Sequence, residues 1–165
     1  MWPSQVTKIV SGGQAGVDRG GLDAAIALGL PHGGWCPRGR RAEDGPIAKK
    51  YELEATRSSD YRVRTRRNVV QSDGTLIFGC GPLSGGTKLT VDWARCCGRP
   101  WHRVDFAAID AGDSNQDAAA RQAVWQWLVV ESIAVLNIAG PRASRHEWIA
   151  ERTQTFLCRL LSEGR

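Results

Sequence analysis

The sequence predicts a single-domain, Rossmann-like α/β fold of three layers, α/β/α, with about five strands in a mainly parallel sheet. Short apolar runs alternate five times with stretches of helical periodicity, and a glycine-rich or polar segment follows most of the runs. This alternation is typical of parallel sheets, because each helix returns the chain to the start of the next strand. The 165 residues show one composition without a linker or repeat, so we expect one ligand-binding domain over residues 1–165.

The first unit comprises a strand, a glycine turn and a helix. The apolar residues of Val6–Val10 predict the strand, and the sequence SGGQAGVD at Ser11–Asp18 predicts the turn. Apolar residues then recur at helical spacing up to Leu28, and Gly29 stands where a helix terminator is expected. Glycine lets a ligand approach the backbone, and the free N–H groups of a first helical turn favour an anion. The turn therefore predicts an anion-binding site.

The second unit contains a long polar loop. We expect a short strand over Pro31–Trp35 and then a loop over Cys36–Pro46, whose three arginines suit bidentate contacts with an anionic ligand. An amphipathic pattern over Arg62–Gln71 predicts the helix that closes this unit.

The third unit repeats the geometry of the first. The β-rich apolar run Thr75–Phe78 predicts a strand that leads into the glycine-rich segment Gly79–Thr87. Ser84 or Thr87 is expected to cap the helix that follows. A second anion-binding turn is therefore predicted here.

Two more units complete the chain. Pro100–Phe106 predicts a fourth strand, and a helix is expected from Ser114 to Leu128. Ser132–Ala139 is almost continuously apolar, which is typical of a strand buried on both faces. The spacing of Ser144 and Glu147 predicts a capping box at the start of the last helix.

Four segments that follow predicted strands are expected to meet at one edge of the sheet, where ligands bind in open parallel sheets. They span residues 11–16, 33–40, 79–87 and 137–142. Their backbone amides, two helix N-termini and several arginines suit a phosphate-bearing organic anion. The predicted binding residues are Ser11, Gly12, Gly13, Gln14, Gly16, Asp18, Gly34, Trp35, Arg38, Arg40, Ser84, Gly85, Gly86, Thr87, Asn137, Gly140 and Arg142.

Composition excludes several other classes of protein. No apolar run approaches the roughly 18 residues of a membrane span, and the first residues lack a signal-peptide pattern, so we expect a cytoplasmic protein. Five cysteines without a C-x-x-C pair indicate reduced thiols rather than a disulfide framework or zinc site. The net charge of +5 comes partly from a run of arginines at 57–67, which at this size is more typical of a solvated face than of nucleic-acid binding.

The sequence leaves the roles of several single residues open. Asp18 and Asp92 either contact a ribose or amino group of the ligand or lie on a helix surface. Cys36 and Cys80 fall in loops at the same edge, where a thiolate binds a soft metal or remains unliganded. The histidines are scattered and belong to no triad or ligand cluster, so we predict neither catalytic nor metal-binding residues.

Together, the motifs resemble those of the putative molybdenum carrier family. They are SGGQAGVD at 11–18, GGWCP at 33–37, GRRAEDG at 39–45, SDGT at 72–75, SGGT at 84–87 and NIAGPR at 137–142. That family is similar in fold to molybdenum cofactor carrier proteins and, more distantly, to the lysine-decarboxylase-like phosphoribohydrolases. The resemblance implies a Rossmann-like sheet, a ligand at its glycine-lined edge, and a homodimer or homotetramer.

The first hypothesis that follows is a non-catalytic carrier of the molybdenum cofactor (molybdopterin), or of a related phosphorylated pterin or nucleotide. Such a carrier passes its small anionic ligand to a recipient such as an apo-molybdoenzyme. We expect the phosphate on the amides after Gly12–Gly13 or Gly85–Gly86, assisted by the arginines at 38, 40 or 142. Asn137 is expected to face the ring, and Trp35 either stacks on it or covers the sheet edge.

The alternative hypothesis is an enzyme that cleaves the N-glycosidic bond of a nucleotide, with Asp18, Asp92 or Glu43 as acid or base. The resemblance to phosphoribohydrolases implies a catalytic glutamate three residues after the threonine of a P-G-G-x-G-T segment. Thr90 stands at that position after Thr87, which argues against hydrolysis. A nucleotide-ligand sensor is a third hypothesis.

Overall fold

The computed structural model describes residues 5–162, which form nine strands and five helices. The elements are β1 (Lys8–Val10), α1 (Val17–Ala27), β2 (His32–Gly33), β3 (Trp35–Cys36), β4 (Arg41–Ala42), β5 (Gly45–Pro46), β6 (Glu54–Ala55), α2 (Tyr61–Val70), β7 (Gly74–Gly79), α3 (Gly85–Cys96), β8 (Trp101–Asp105), α4 (Ser114–Val130), β9 (Val135–Ala139) and α5 (Ile149–Ser162). The predicted three-layer α/β fold with a parallel sheet is confirmed. None of these helices is long and apolar enough to cross a membrane.

The central sheet contains five parallel strands in the order β2-β1-β9-β7-β8. Helices α1 and α4 pack against α5, and α2 packs against α3, so helices flank the sheet. From β1 the chain moves outward to β2, and from β7 it moves outward to β8 on the other side. The last strand, β9, lies between β1 and β7. Strand order therefore reverses next to β9, and a crevice is expected at the carboxyl ends there.

The core explains why the apolar runs form strands. All six residues of β7 are buried, and Leu136 and Ile138 of β9 are almost fully enclosed beside them. The ring of Phe78 stacks on Phe106 at 5.3 Å between centroids and meets Phe156 edge-on at 5.4 Å. This clustered aromatic surface joins the sheet to α5 and fixes the position of the strand ends.

The second unit differs from its prediction. The strand expected over Pro31–Trp35 divides into β2 and β3, because Gly34 adopts a φ of 121° between them. The polar loop that follows contains the hairpin β4–β5. Residues 47–60, for which the sequence predicted no element, contribute β6, which pairs with β3. Under them lies a small second core of Leu22, Cys36, Ile47, Tyr51 and Leu53.

The capping box predicted at Ser144 is wrong. Helix α5 begins at Ile149, and Ser144 instead donates from its N–H and its Oγ to the carboxylate of Glu43, at 2.9 and 2.6 Å. Glu43 reaches this hydroxyl because the β4–β5 hairpin folds back toward the end of β9. Ser144 therefore bonds a residue 101 positions away in the sequence instead of capping the nearby helix.

Candidate functional site

A cavity of about 450 Å³ lies where strand order reverses, at the carboxyl ends of β7 and β9. Most of its wall comes from two segments, residues 79–87 after β7 and residues 139–146 after β9. One face of α2, Gln14 of the first glycine turn and Asp18 of α1 complete it. The volume falls in the range of small-molecule sites, roughly 300–1,000 Å³.

The second glycine turn, residues 79–87, is open toward this cavity. A Cβ added at Gly81, Gly85 or Gly86 would meet no atom within 4 Å. Helix α3 begins at Gly85, and the side chain of Ser84 caps none of its amides. Within the described chain, the N–H groups of Gly85, Gly86 and Thr87 have no hydrogen-bond acceptor. Unsatisfied donors and the helix dipole together make this turn attractive to an anion.

The loop before α3 is held in place from β8. Asp105 accepts a hydrogen bond from the N–H of Gly81 at 2.9 Å through Oδ1, and its Oδ2 accepts from Arg103 at 3.1 Å. Arg103 also donates to the carbonyl of Gly81. Since Gly81 has a φ of 80°, the turn is kept in a glycine-dependent conformation without filling the space above it.

Cationic side chains stand beside the open turn. Arg142 and Arg145 line the cavity and are exposed, and Arg145 donates to the Oγ of Ser84 at 3.4 Å. The guanidinium carbons of Arg142 and Arg64 lie 5.3 and 5.8 Å from the ring centre of Tyr61. The cavity therefore combines free amides with several positive charges, which suits a phosphate.

The first glycine turn, residues 11–16, is filled by the protein itself. Side chains occupy the space beside its first two glycines: a Cβ at Gly12 would overlap the guanidinium of Arg64, and one at Gly13 would overlap Leu53. A Cβ at Gly16 would come within 2.5 Å of the carbonyl oxygen of Pro141. The N–H of Val17, at the start of α1, already donates to that carbonyl at 3.2 Å. These glycines permit close packing of the backbone.

A buried polar cluster of Gln14, Asp18 and Arg64 reaches the cavity from this turn. The Oδ2 of Asp18 accepts from the N–H of Gln14 at 3.2 Å and from Arg64 at 3.3 Å. Burial raises the pKa of the Asp18 carboxyl, and the charge of Arg64 offsets part of that effect. The side-chain oxygen of Gln14 accepts from the N–H groups of Ala15 and Glu43 at 3.1 and 2.8 Å. Its Nε2, like the Nε of Arg64, is buried without a hydrogen-bond partner among the described residues.

The structure brings part of the predicted site together. The cavity is lined by Gln14, Asp18, Ser84, Gly85, Gly86, Thr87, Gly140 and Arg142. Among the described residues, the other predicted residues lie outside its lining, namely Ser11, Gly12, Gly13, Gly16, Gly34, Trp35, Arg38, Arg40 and Asn137. Ligand binding by either set stays a prediction.

Several residues outside the lining have other contacts. The guanidinium of Arg40 donates to the carbonyls of residues 47, 48, 51 and 53 at 2.8–3.3 Å, which fastens the loop. The indole of Trp35 donates to Gln71 at 2.8 Å and lies beneath Arg67, in a separate pocket of about 150 Å³. Asn137 is buried and donates to Thr75 at 3.2 Å. Arg38 is exposed.

Sequence reasoning missed the contribution of α2. Tyr61, Arg64 and Thr65 line the cavity and share one helix face through their i, i+3 and i+4 spacing. That spacing was visible in the sequence, but we interpreted the surrounding run of arginines as a solvent-exposed helix face. Arg145 was also missed, because the expected capping box placed it inside a helix.

The candidate catalytic and metal-binding side chains are separated. Asp92 is exposed and pairs with Lys88 at 2.9 Å, and Glu43 is bound by Ser144, so Asp18 is the one carboxylate lining the cavity within residues 5–162. Thr90 donates to the carbonyl of Gly86 at 2.9 Å. No group of three or more His, Cys, Asp or Glu side chains that could hold a metal occurs in this range. Cys80 lines the cavity, whereas Cys36 is buried in the second core.

Comparisons with known proteins agree with this architecture. Residues 9–161 match the Circularly permutated YpsA SLOG family. The crystal structure of a "putative molybdenum carrier protein" from Syntrophus aciditrophicus SB is 41% identical, with a TM-score of 0.89 over 98% of this chain and 97% of that chain. An (E)-4-hydroxy-3-methyl-but-2-enyl diphosphate reductase, 11% identical with a TM-score of 0.39 over 93% of this chain and 59% of the enzyme, is too dissimilar to support an inference. No curated protein matches the chain.

Proposed function

The chain belongs to the Circularly permutated YpsA SLOG family, and we propose that it carries the molybdenum cofactor, or a related phosphorylated pterin or nucleotide. The observation that supports this most is the open first turn of α3. The amides of Gly85, Gly86 and Thr87 face a cavity of ligand size beside two exposed arginines. The name of the 41% identical structure, a molybdenum carrier, supports the choice of ligand.

The phosphate of the ligand would occupy the open turn. Three free amides supply hydrogen bonds, and the N-terminus of α3 supplies partial positive charge. Arg142 and Arg145, which stand at the same wall, would contact the outer phosphate oxygens bidentately. We therefore assign phosphate binding to the second glycine turn and withdraw the alternative position after Gly12–Gly13, which protein side chains fill.

The residues present also fit the rest of such a ligand. A pterin or nucleotide ring offers polar edge atoms, and the buried Nε2 of Gln14 and Nε of Arg64 lack acceptors inside the protein. The ring of Tyr61 and the side chain of Leu89 add apolar surface to the cavity. The molybdenum cofactor holds its metal through its own pterin sulfur atoms, so the cargo would need no cluster of protein ligands.

One observation favours a second candidate function, hydrolysis of an N-glycosidic bond. Asp18 lies in the cavity and burial raises its pKa, as in general acids. However, its Oδ2 is occupied by Gln14 and Arg64, and Thr90 offers no carboxylate from α3. Incubation with nucleoside monophosphates, followed by chromatography for released base, separates the two functions, because turnover contradicts a pure carrier.

Binding of the molybdenum cofactor to Gly86 variants tests the carrier proposal. Cofactor released anaerobically from a purified molybdoenzyme is the probe, and the amount retained after gel filtration is measured. Gly86→Asp adds a carboxylate where the phosphate would lie, so we expect at least a tenfold loss of affinity. Gly86→Ala adds only a methyl group in open space and is the matched control. Equal retention by both variants would contradict the proposal.

The carrier proposal also includes a recipient protein, an oligomeric state and a cellular location. It implies transfer of the ligand to a recipient such as an apo-molybdoenzyme, a homodimer or homotetramer, and a cytoplasmic location. Native mass spectrometry of the freshly purified protein tests the identity of the ligand and the oligomeric state. A pterin mass with molybdenum supports the carrier, the intact mass gives the oligomer, and a nucleotide in its place would shift the assignment to the second class of ligand.

A further inference from the structure

We propose that Gln14, Asp18 and Arg64 select the ring of the ligand, and that they favour a ring with a lactam edge, as in guanine and pterin, over adenine. A lactam edge presents a carbonyl oxygen next to a ring N–H. This inference deepens the proposed function and rests on it, because it assumes that a phosphorylated heterocycle enters the cavity. It places the ring contacts on these three side chains, whereas the sequence predicted that Asn137 faces the ring and that Trp35 either stacks on it or covers the sheet edge.

The first argument concerns two buried donors. The Nε2 of Gln14 and the Nε of Arg64 have no hydrogen-bond partner within the described chain, although Gln14 is only 6% exposed. A buried donor without a partner loses its hydrogen bonds to water and gains none in the protein, so such groups in native proteins usually have a partner. Both residues line the cavity, and a ligand atom is the acceptor that the site lacks.

The second argument concerns which acceptor satisfies both donors. A carbonyl oxygen has two lone pairs and accepts two hydrogen bonds, whereas a ring nitrogen of adenine has one. Adenine also presents its amino group at this edge, and a donor facing a donor repels. One lactam oxygen therefore suits Gln14 and Arg64 together, and adenine would leave at least one of them unsatisfied.

The third argument concerns the neighbouring acceptor. The Oδ2 of Asp18 accepts two hydrogen bonds from the protein, but its Oδ1 accepts none from the described residues. Asp18 belongs to the same cluster as the two donors through its bonds with the N–H of Gln14 and with Arg64, and a free carboxylate oxygen suits the N–H that adjoins the carbonyl of a lactam. A lactam edge therefore offers an acceptor to the two donors and a donor to the carboxylate.

The fourth argument concerns rigidity. The side-chain oxygen of Gln14 accepts from the backbone of Ala15 and Glu43, so its amide cannot rotate to offer oxygen instead of nitrogen. Glu43 is fixed in turn by Ser144. An amide held from two sides discriminates between acceptors and donors more strongly than a free one would.

The spacing of the two subsites suits a mononucleotide or a pterin phosphate. Gln14 and Asp18 of the ring-selecting cluster follow β1, and the phosphate turn follows β7, with β9 between the two strands. Adjacent strands lie about 4.8 Å apart, so the carboxyl ends of β1 and β7 are roughly 10 Å apart. A phosphate at α3 would leave the ring of such a ligand within reach of Asp18.

Calorimetric titration with GMP and AMP tests the inference. We expect the wild-type protein to bind GMP at least tenfold more tightly than AMP. Gln14→Glu keeps the oxygen that holds Glu43 but removes the donor, so the ratio of the two affinities should fall to about one. Gln71→Glu makes the same chemical change at an exposed residue outside the cavity and should leave the ratio unchanged. Arg64→Lys, which removes the other donor, is measured in parallel and should also lower the ratio.

The outcomes separate this inference from the proposed function. Equal affinity of the wild-type protein for GMP and AMP, with binding lost in Gly86→Asp, overturns the ring selection and leaves the phosphate site standing. A tenfold preference that survives both Gln14→Glu and Arg64→Lys overturns the assignment to these residues. Binding of GMP that is unaffected by Gly86→Asp contradicts the phosphate site, and guanosine against adenosine, which lack phosphate, then tests the ring selection alone.

Discussion

The two glycine-rich turns of this protein have similar sequences but opposite surroundings. Residues 11–16 and residues 79–87 each follow a buried strand and precede a helix. In the first turn the space beside the glycines is filled by Arg64, Leu53 and the chain after β9. In the second, Gly85 and Gly86 face open space. Glycine therefore serves backbone packing in one turn, and leaves room for a ligand in the other.

The comparison shows that a glycine-rich turn indicates room for close contact with the backbone, but does not indicate whether protein atoms or a ligand make that contact. Gly16 has a φ of 117°, and a Cβ added there would overlap protein backbone; Gly85 has a φ of 54°, and a Cβ added there would meet no atom within 4 Å. The distinction depends on β9, which brings residues 141–143 against the first turn but leaves the second uncovered. Substitutions at the two turns should therefore have different effects.

The largest expected effect is on stability, from Gly16→Ala. Its Cβ would lie 2.5 Å from the carbonyl oxygen of Pro141 and 2.6 Å from the N–H nitrogen of Ala143, in a backbone conformation that L-residues avoid. We expect the free energy of unfolding in urea to fall by at least about 3 kcal/mol. Gly86→Ala, in open space at a helix start, should change it by less than about 0.5 kcal/mol. Similar losses in both variants would contradict the contrast between the turns.

The sequence predicted the fold well because its signals are local. Strand positions in the central sheet follow from short apolar runs, and their observed limits agree with the predicted ones to within three residues. Helices α1 and α3 begin and end near their glycines for the same reason, whereas α5 begins at Ile149, after the capping box predicted at Ser144. Strand pairing, in contrast, depends on residues far apart in the sequence. The central position of β9 in the sheet could therefore not be predicted from the hydrophobic periodicity.

The site was less predictable because it depends on distant contacts. Arg64 and Arg66 lie on one helix and cannot be distinguished by sequence pattern. However, Arg64 forms an ion pair with Asp18, whereas the guanidinium of Arg66 lies over the ring of Trp93. Arg40 belongs to a loop that suggested an anion site, but its guanidinium is taken by backbone carbonyls. Neither assignment can be made until the chain is folded.

An intermediate effect on stability is expected from Arg40→Met, which tests how the first turn is kept filled. Arg40 bonds the carbonyls of Ile47 and Leu53, and these two side chains cover Gly13. Loss of the charged donor leaves several half-buried carbonyls unpaired, so we expect a loss of about 2 kcal/mol in urea unfolding. Arg38→Met, at an exposed position in the same loop, is the control and should cost less than about 0.5 kcal/mol. Equal costs would show that Arg40 does not hold the cover of the first turn.

The smallest effect concerns pH, and it distinguishes the buried carboxylate of Asp18, at the start of α1, from the exposed carboxylate of Asp44. Burial raises the pKa of Asp18, so at pH values between the unfolded and folded pKa the folded protein binds more protons than the unfolded chain. Stability from this group is therefore present below the ordinary pKa of aspartate and is lost as pH rises through the folded-state pKa. Relative to Asp18→Asn, the wild-type protein should lose free energy of unfolding as the pH rises above about 4, the ordinary pKa of aspartate.

Asp44 supplies the control with the opposite sign. Its bond with Arg19 holds the pKa of the carboxyl below its usual value, so its stabilisation is present above the ordinary pKa of aspartate and is lost as pH falls. Relative to Asp44→Asn, the wild-type protein should therefore gain stability as pH rises toward about 5. The two difference curves, measured by urea unfolding from pH 3 to pH 7, should slope in opposite directions. Parallel slopes would mean that water or Arg64 compensates the charge of Asp18 fully, and the first turn would then be more open than its packing indicates.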